Sequence, residues 1–262
     1  MPEGHTVHRL ARDQSKWFSG QRLKVSSPQG RFAEGSELLD GRTLKSVEAH
    51  GKHLYYFFSG VHVLHVHLGL YGKFRLHASP PPEPRGAVRV RFIGKTNTLD
   101  LNGPNQCVVL NAQQIADSRK KIGEDPLRTD ANPERAWARI QKSKKPIGQL
   151  LLDQSIIAGI GNIYRAEILF LMSVHPTRPS CSFTHEEFDE LWKTSVRLLE
   201  VGVKYNRIIT KSRDESDKPL SKLTSEERLW IYKKEFSPIC ASATQKWLLG
   251  NRQMYACAVC QR

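Results

Sequence analysis

The chain has 262 residues, with 40 lysines and arginines against 26 aspartates and glutamates, and a formal net charge of +14. That surplus points to a polyanionic partner, nucleic acid ahead of an anionic membrane surface. No apolar run approaches the roughly 20 residues that cross a bilayer, and the start of the chain is already charged and amphipathic, which is not how a secretory leader reads. Five cysteines, an odd count without a signal peptide, are expected to be reduced thiols of a cytoplasmic protein.

The chain opens Met1-Pro2-Glu3-Gly4-His5-Thr6-Val7-His8. If Met1 is removed, Pro2 becomes a secondary amine at the terminus. Such an amine forms a cationic iminium with an aldehyde carbon without losing a second proton, as a lysine amine must. Glu3 beside it supplies a carboxylate able to move protons at the attacked carbon. Val7, Leu10, Ala11 and Phe18, with polar Arg9, Arg12 and Asp13 between them, predict a helix that begins near Glu3. Pro2 also suits the plain role of opening that helix.

The pattern then turns to period two. Residues 53–58 and 61–68 flank Ser59-Gly60 as a hairpin, and residues 87–93, 97–101 and 107–110 read as further strands. Val88, Val90 and Phe92 alternate with Arg89 and Arg91, so a β-sandwich with one basic face is expected. Gly51-Lys52-His53 precedes the first of these strands, and Gly69-Leu70-Tyr71-Gly72 makes a glycine-bounded tip after the second. Lys52 alone reads as a solvated charge, and the Leu70–Tyr71 pair alone as a cap on the core. Of the histidines His62, His65 and His67, alternation puts His65 and His67 on one face. With no carboxylate at a suitable spacing, they read as polar-face residues and not as metal ligands.

Residues 123–130 read as an irregular crossing. Helices are expected over 133–142 and after Pro146. Gly159-Ile160-Gly161-Asn162 then opens another helix, a turn that lets backbone amides approach an anion. Thr184 and Glu187 make a capping box for a helix whose apolar stripe is Phe188, Leu191, Trp192, Val196 and Leu199. Residues 204–222 are polar and read as a mobile loop, suited either to ligand contact or to ordinary disorder.

Near the end, Cys257-Ala258-Val259-Cys260 is one half of a four-cysteine zinc pattern. Cys240 opens the other half, and Ala243 stands where its partner is expected. The fourth ligand is then missing, or comes from Glu235, a distant side chain or water. Packing of Trp247, Leu248, Leu249 and Tyr255 is an alternative brace for this tail.

Taken together, Met-Pro-Glu-Gly, Gly51-Lys52-His53-Leu54, the Leu70–Tyr71 tip, the string from Leu152 to Glu167 and the tail resemble the formamidopyrimidine-DNA glycosylase/endonuclease VIII family of base-excision-repair enzymes. The resemblance touches both halves of the chain. It implies an α+β fold: an N-terminal β-sandwich with a leading helix (1–122), a helix–two-turns–helix domain (123–228) and a degenerate zinc-finger-like hairpin (229–262). It implies Pro2 as nucleophile, Glu3 as general acid/base and Lys52 on the phosphate beside the lesion. Leu70 and Tyr71 would fill the space of an extruded base. Gly161, Asn162 and nearby amides would grip phosphates, and Arg252, five residues before Cys257, would enter the minor groove. Zinc would sit on Cys240, Cys257 and Cys260. Residues 100–107 lack the second wedge loop of the guanine-lesion branch, which favours the endonuclease VIII branch and oxidised pyrimidines. The implied protein is a monomeric glycosylase and abasic-site lyase on DNA carrying oxidised bases or abasic sites. The alternative is a non-catalytic damaged-DNA-binding protein.

Overall fold

A computed structural model describes residues Pro2–Arg262; Met1, and with it the expected trimming of Met1, lies outside the described residues. By contacts the chain forms two compact units. The first holds Pro2 and Val7–Lys121, and the second holds Glu3–Thr6 and Ile122–Arg262.

The first unit contains most of α1 (Gly4–Phe18), then β1 (Lys24–Ser26), α2 (Ala33–Leu39), β2 (Leu44–His50), β3 (His53–Phe58), β4 (Val63–His67), β5 (Lys73–Ala78), β6 (Val88–Ile93), β7 (Asn97–Asn102), β8 (Gln106–Leu110) and α3 (Ala112–Lys120). Two four-stranded antiparallel sheets, β1-β6-β7-β5 and β2-β3-β4-β8, make the expected sandwich. Its core takes alternate residues from both: Leu54, Tyr56 and Phe58 from β3, Leu64 and Val66 from β4, Val90 and Phe92 from β6, Leu99 and Leu101 from β7. The β3–β4 hairpin closes later than expected. Phe58 N–H donates to His62 O, and Ser59–His62 form a four-residue connection.

Two expectations about polar faces change. Arg91 is not part of a solvated basic face; it is buried and makes a two-pronged pair with Asp100, at 2.6 and 2.8 Å. Its neighbour in the strand register is Asp100 itself, so the pair is set by the pairing of β6 with β7. The histidines lie on the outer face of β3 and β4, as alternation requires, but that face is covered. Tyr55 Oη lies 3.0 Å from Ser118 Oγ of α3, and Arg119 sits over the Tyr55 ring. Beneath them His65 stacks on Tyr55, and His53 stacks on His67 and meets His65 Nε2 through Nδ1 at 2.8 Å. Burial, with the neighbouring histidines, pushes His53 down to about 3 and His65 to about 4, so both are neutral at pH 7. His62 stands before β4, outside this ladder.

The second unit contains α4 (Pro133–Gln141), α5 (Ile147–Leu150), α6 (Asn162–Leu171), α7 (His185–Tyr205) and the antiparallel hairpin β9 (Gln245–Leu249) with β10 (Arg252–Ala256). The stretch expected as an irregular crossing is hydrogen-bonded to the segment before α6. Gly123 N–H donates to Gln154 O, Glu124 N–H to Ile156 O, and Ala158 N–H to Glu124 O. Asn132 caps α4 with Pro133 behind it, and Thr184 with Glu187 forms the capping box of α7. One core runs from Ala136 and Ile140 of α4 through Ile168 and Leu169 of α6 to Leu191 and Leu199 of α7, and on to Met254 and Tyr255 of β10. The polar segment after α7 is tied down at its two ends, with exposed residues between. Ile208, Ile209 and Thr210 are buried, and the Arg207 guanidinium donates to the carbonyls of Leu220, Ser221 and Leu223. Among the described residues, no helix is long and apolar enough to cross a membrane.

Candidate functional site

The amino-terminal segment is fastened by close backbone approach. Gly4 N–H donates to Gly159 O at 2.8 Å, and a side chain on Gly4 would put its Cβ 2.8 Å from Gly159 Cα. Glu3, only 4% exposed, then turns its carboxylate onto the start of α6. It accepts from Gly161 N–H at 3.0 Å, Ile163 N–H at 3.0 Å and Tyr164 N–H at 3.4 Å. A Cβ on Gly161 would lie 2.3 Å from Glu3 Cδ, so glycine is required there. The amides that the glycine turn presents at the start of α6 are taken up by the chain's own Glu3 carboxylate. Amide donors and the positive end of a helix stabilise an ionised carboxylate and fix its direction. His5, buried beneath it and edge-on to Tyr164, is pushed by burial down to about 4.

Helix α6 organises more than Glu3. Its sequence, Asn162-Ile163-Tyr164-Arg165-Ala166-Glu167-Ile168-Leu169-Phe170-Leu171, is apolar apart from three residues. Those three are ties. Arg165 is fully buried and donates to Gly148 O (2.8 Å), Leu249 O (2.9 Å), Arg252 O (3.1 Å) and Asn162 Oδ1 (2.8 Å). Burial pulls its guanidinium down to about 10, still charged at neutral pH. Glu167, also fully buried, accepts from Thr210 Oγ1 and from the N–H groups of Trp230, Ile231 and Tyr232. Asn162 donates from Nδ2 to Gln253 O at 2.9 Å, so both ends of its amide are used inside the protein. Sequence reasoning missed Arg165 and Glu167. The signal was present, because two charges inside an otherwise apolar helix must be paired where they are buried.

The remaining expected residues lie on turns and tips. Gly51 and Lys52 form the two-residue turn between β2 and β3, where Lys52 is buried and not a solvated charge. Leu70 and Tyr71 are 56% and 83% exposed on the β4–β5 loop. Arg252 begins β10 beside the Gly250–Asn251 turn, with its side chain exposed. Trp247 stacks on His175 and Tyr255 meets Tyr232 edge-on, but Leu248 is 72% exposed and does not brace the tail.

Cys240, Cys257 and Cys260 place their sulfurs within 4.8 Å of one another, close enough to hold a metal. Hydrogen bonds from Ser242, then Ser237, bring the Cys240 thiol down to about 6, which suits a thiolate donor. The residue three after Cys240 offers no donor atom. Ala243 pairs with Phe236 in an isolated bridge, whereas Ser237 Oγ lies 3.4 Å from Cys260 Sγ. Ser237-Pro238-Ile239-Cys240 has the same spacing as Cys257-Ala258-Val259-Cys260.

A family model of the formamidopyrimidine-DNA glycosylase N-terminal domain matches residues 1–107, and one of the formamidopyrimidine-DNA glycosylase H2TH domain matches residues 122–214. Endonuclease 8 1 of Mycobacterium tuberculosis is 45% identical over 268 aligned residues, covering 100% of both chains. The chain belongs to the formamidopyrimidine-DNA glycosylase/endonuclease VIII family. Within this family the formamidopyrimidine-DNA glycosylase of Bacillus anthracis is 29% identical over 238 residues, 86% of this chain and 83% of that one. The family fold is matched by the solved complex of Lactococcus lactis Fpg with abasic-site DNA, at a TM-score of 0.82 and 23% identity over 99% of each chain.

Proposed function

We propose that this protein is a base-excision-repair DNA glycosylase that also cleaves the strand, with oxidised pyrimidines as its typical lesions and Pro2 as its nucleophile. The observation that carries the reading is the seat of Glu3: a buried carboxylate held by the amides of Gly161, Ile163 and Tyr164 at the start of α6, next in sequence to a proline whose amine is the expected nucleophile. With Met1 removed, the Pro2 nitrogen attacks C1′ of the damaged nucleotide and the base leaves. Glu3 moves protons as the ribose ring opens, giving an iminium between Pro2 and C1′. The iminium draws electrons from the C2′–H bond, so that proton is lost and the 3′ phosphate departs. A second elimination removes the 5′ phosphate, completing β,δ-elimination.

Lys52 supplies a cation for the phosphate beside the lesion. Leu70 and Tyr71 offset the cost of unstacking by filling the emptied space, a few kcal/mol per step. Arg252 enters the minor groove, where a narrow negative channel favours a guanidinium. The partner is DNA with oxidised bases or abasic sites, in keeping with the +14 charge. Zinc fits the three thiols of Cys240, Cys257 and Cys260, and when bound it supplies only the shape of the tail that carries Arg252.

Borohydride reduction in the presence of abasic DNA tests the chemistry. The native protein should become covalently attached, Pro2→Gly should attach weakly, and Glu3→Gln should bind DNA yet lose base excision. Equal trapping by a protein whose terminus is blocked would remove Pro2 from the mechanism. No trapping at all would leave the non-catalytic damaged-DNA-binding protein as the reading.

A further inference from the structure

We propose that Ser237 is the fourth donor of the metal site, so that the chain holds zinc through three thiolates and one neutral hydroxyl oxygen. The proposal rests on the reading above that zinc occupies the cysteine cluster, and it assigns the one ligand that reading leaves open.

Three observations carry it. The first is distance. Tetrahedral zinc with Zn–S of about 2.3 Å and Zn–O of about 2.0–2.2 Å sets its sulfurs about 3.8 Å apart and its oxygen about 3.5 Å from each sulfur. The chain shows Cys240 Sγ 3.4 Å from Cys257 Sγ and 3.3 Å from Cys260 Sγ, with Ser237 Oγ 3.4 Å from Cys260 Sγ. Three sulfurs and one oxygen are already drawn together at near-ligand spacing.

The second is backbone equivalence. In the Cys257–Cys260 turn, Gln261 N–H donates to Cys257 O at 2.9 Å. In the Ser237–Cys240 turn, Ala241 N–H donates to Ser237 O, also at 2.9 Å. Each turn spans a donor residue, two spacers and a second donor residue, and each closes with the same four-residue hydrogen bond. Ser237 thus stands in its turn where Cys257 stands in the other. The third is burial. Ser237 is 2% exposed, a place where a hydroxyl needs a partner, and Ile239 N–H supplies one contact to Oγ at 3.3 Å.

Ala243 and the carboxylates do not supply the fourth ligand. Ala243 has no donor atom and lies in the bridge with Phe236. Glu235 is exposed, and among the described residues no carboxylate joins the three cysteines. On loading, the three thiols release their protons to solvent and the Ser237 hydroxyl keeps its own, so the occupied site carries one net negative charge where four thiolates would carry two. A neutral oxygen is a weaker donor to zinc than a thiolate. The metal is therefore held less tightly than a fourth cysteine would hold it.

The test uses the full chain, stripped of metal under reducing conditions and titrated with Co²⁺ and with Zn²⁺ against a competing chelator. The wild-type protein should bind one ion with cobalt absorption typical of three thiolates. Ser237→Cys should tighten binding and raise the thiolate-to-cobalt absorption in the ratio of four sulfurs to three. Ser237→Ala should weaken binding, by about 10- to 100-fold on the scale of lost supporting contacts at metal sites. Ala243→Cys should change neither quantity. Tightening by Ala243→Cys and not by Ser237→Cys would overturn the proposal, as would Ser237→Ala and Ser237→Cys both binding like the wild type; in either case zinc itself stands. Failure of the wild type to bind either ion overturns the zinc reading, and Ser237 falls with it. Circular dichroism of each loaded protein confirms that a changed affinity is not a lost fold.

Discussion

Two exposed tips are built into this chain, and they are held in different ways. Leu70 and Tyr71 sit on a loop shaped by its own glycines. Gly69 has a φ of +64° and Gly72 N–H donates to Leu68 O, so the turn closes on its own backbone, with Asn105 packed against Gly69. The Arg252 tip also has a tight turn, with Gly250 and Asn251 both at positive φ. Its placement, however, is written elsewhere. Arg165 takes the carbonyls on both sides of that turn, Leu249 and Arg252, and Asn162 takes the next one, at Gln253. The first tip is a local structure that carries apolar side chains. The second is an arm held from the same helix whose amides hold Glu3. Changes far from the arm should therefore reach it, whereas only nearby changes should reach the loop.

The largest effect is expected at Arg165. Arg165→Met removes a buried guanidinium and leaves its carbonyl partners without donors, each at roughly 1–3 kcal/mol. Amide hydrogen exchange over β9 and β10 should speed strongly, and base excision should fall as far as it does in Arg252→Ala. Arg252→Ala itself should leave that exchange unchanged, since its carbonyl stays in place. If the hairpin amides of Arg165→Met remain as protected as in the wild type, the arm is not held from α6.

A smaller effect separates the tips by pH. Strand β4 leads into the Leu70–Tyr71 loop and carries His65 and His67. His53 and His65 have folded values near 3 and 4, below the ordinary 6.5. At pH 7 both states are neutral and nothing is lost. Below 6.5 the unfolded chain takes up protons that the folded ladder refuses, so stability falls as pH falls, until the folded values are reached. By pH 5 one such histidine should weaken the first unit by about 1–2 kcal/mol. Exchange of β3 and β4 should quicken over that range, and His65→Phe should flatten the dependence. His5 acts with the same sign in the second unit, so local exchange in β3 and β4 is the appropriate readout. A flat response there would mean that the ladder takes up protons without loosening.

Much of the architecture could be read from the chain because period and caps are local. Alternation located β3, β4, β6, β7 and β8 within two residues but not β1, β2 or β5, and the capping box at Thr184 began α7 where expected. The tips were legible because glycine marks a turn wherever it stands. What could not be read were the partners of buried polar groups, since these are set by packing. Arg91 looked like a surface cation until its register with Asp100 was fixed. The amides at the Gly161 turn gave no sign of their partner, because Glu3 lies 158 residues away in sequence. Ser237 lay outside any pattern built from cysteines alone, and the shape of its turn is what brings it to the cluster.

The smallest effect on stability, and the most direct test of the local tip, is expected at Leu70 and Tyr71. Both side chains are mostly in water already, so truncating them exposes no core and leaves no cavity. Surface changes of this kind shift stability by no more than about 0.5 kcal/mol. The cost should appear only when a base leaves the stack, because the unstacking energy is then no longer offset by an apolar wedge. Leu70→Ala with Tyr71→Ala should therefore keep the wild-type melting temperature and lose excision on duplex DNA, while excision from a single strand, where no stack must be replaced, is spared. Asn105→Ala is the matching control: it alters the residue packed against Gly69 without touching the wedge side chains. If the double alanine variant loses duplex and single-strand excision equally, the pair is not filling a vacated stack. If instead it melts several degrees lower, the tip is not the independent local structure that its contrast with the Arg252 arm requires.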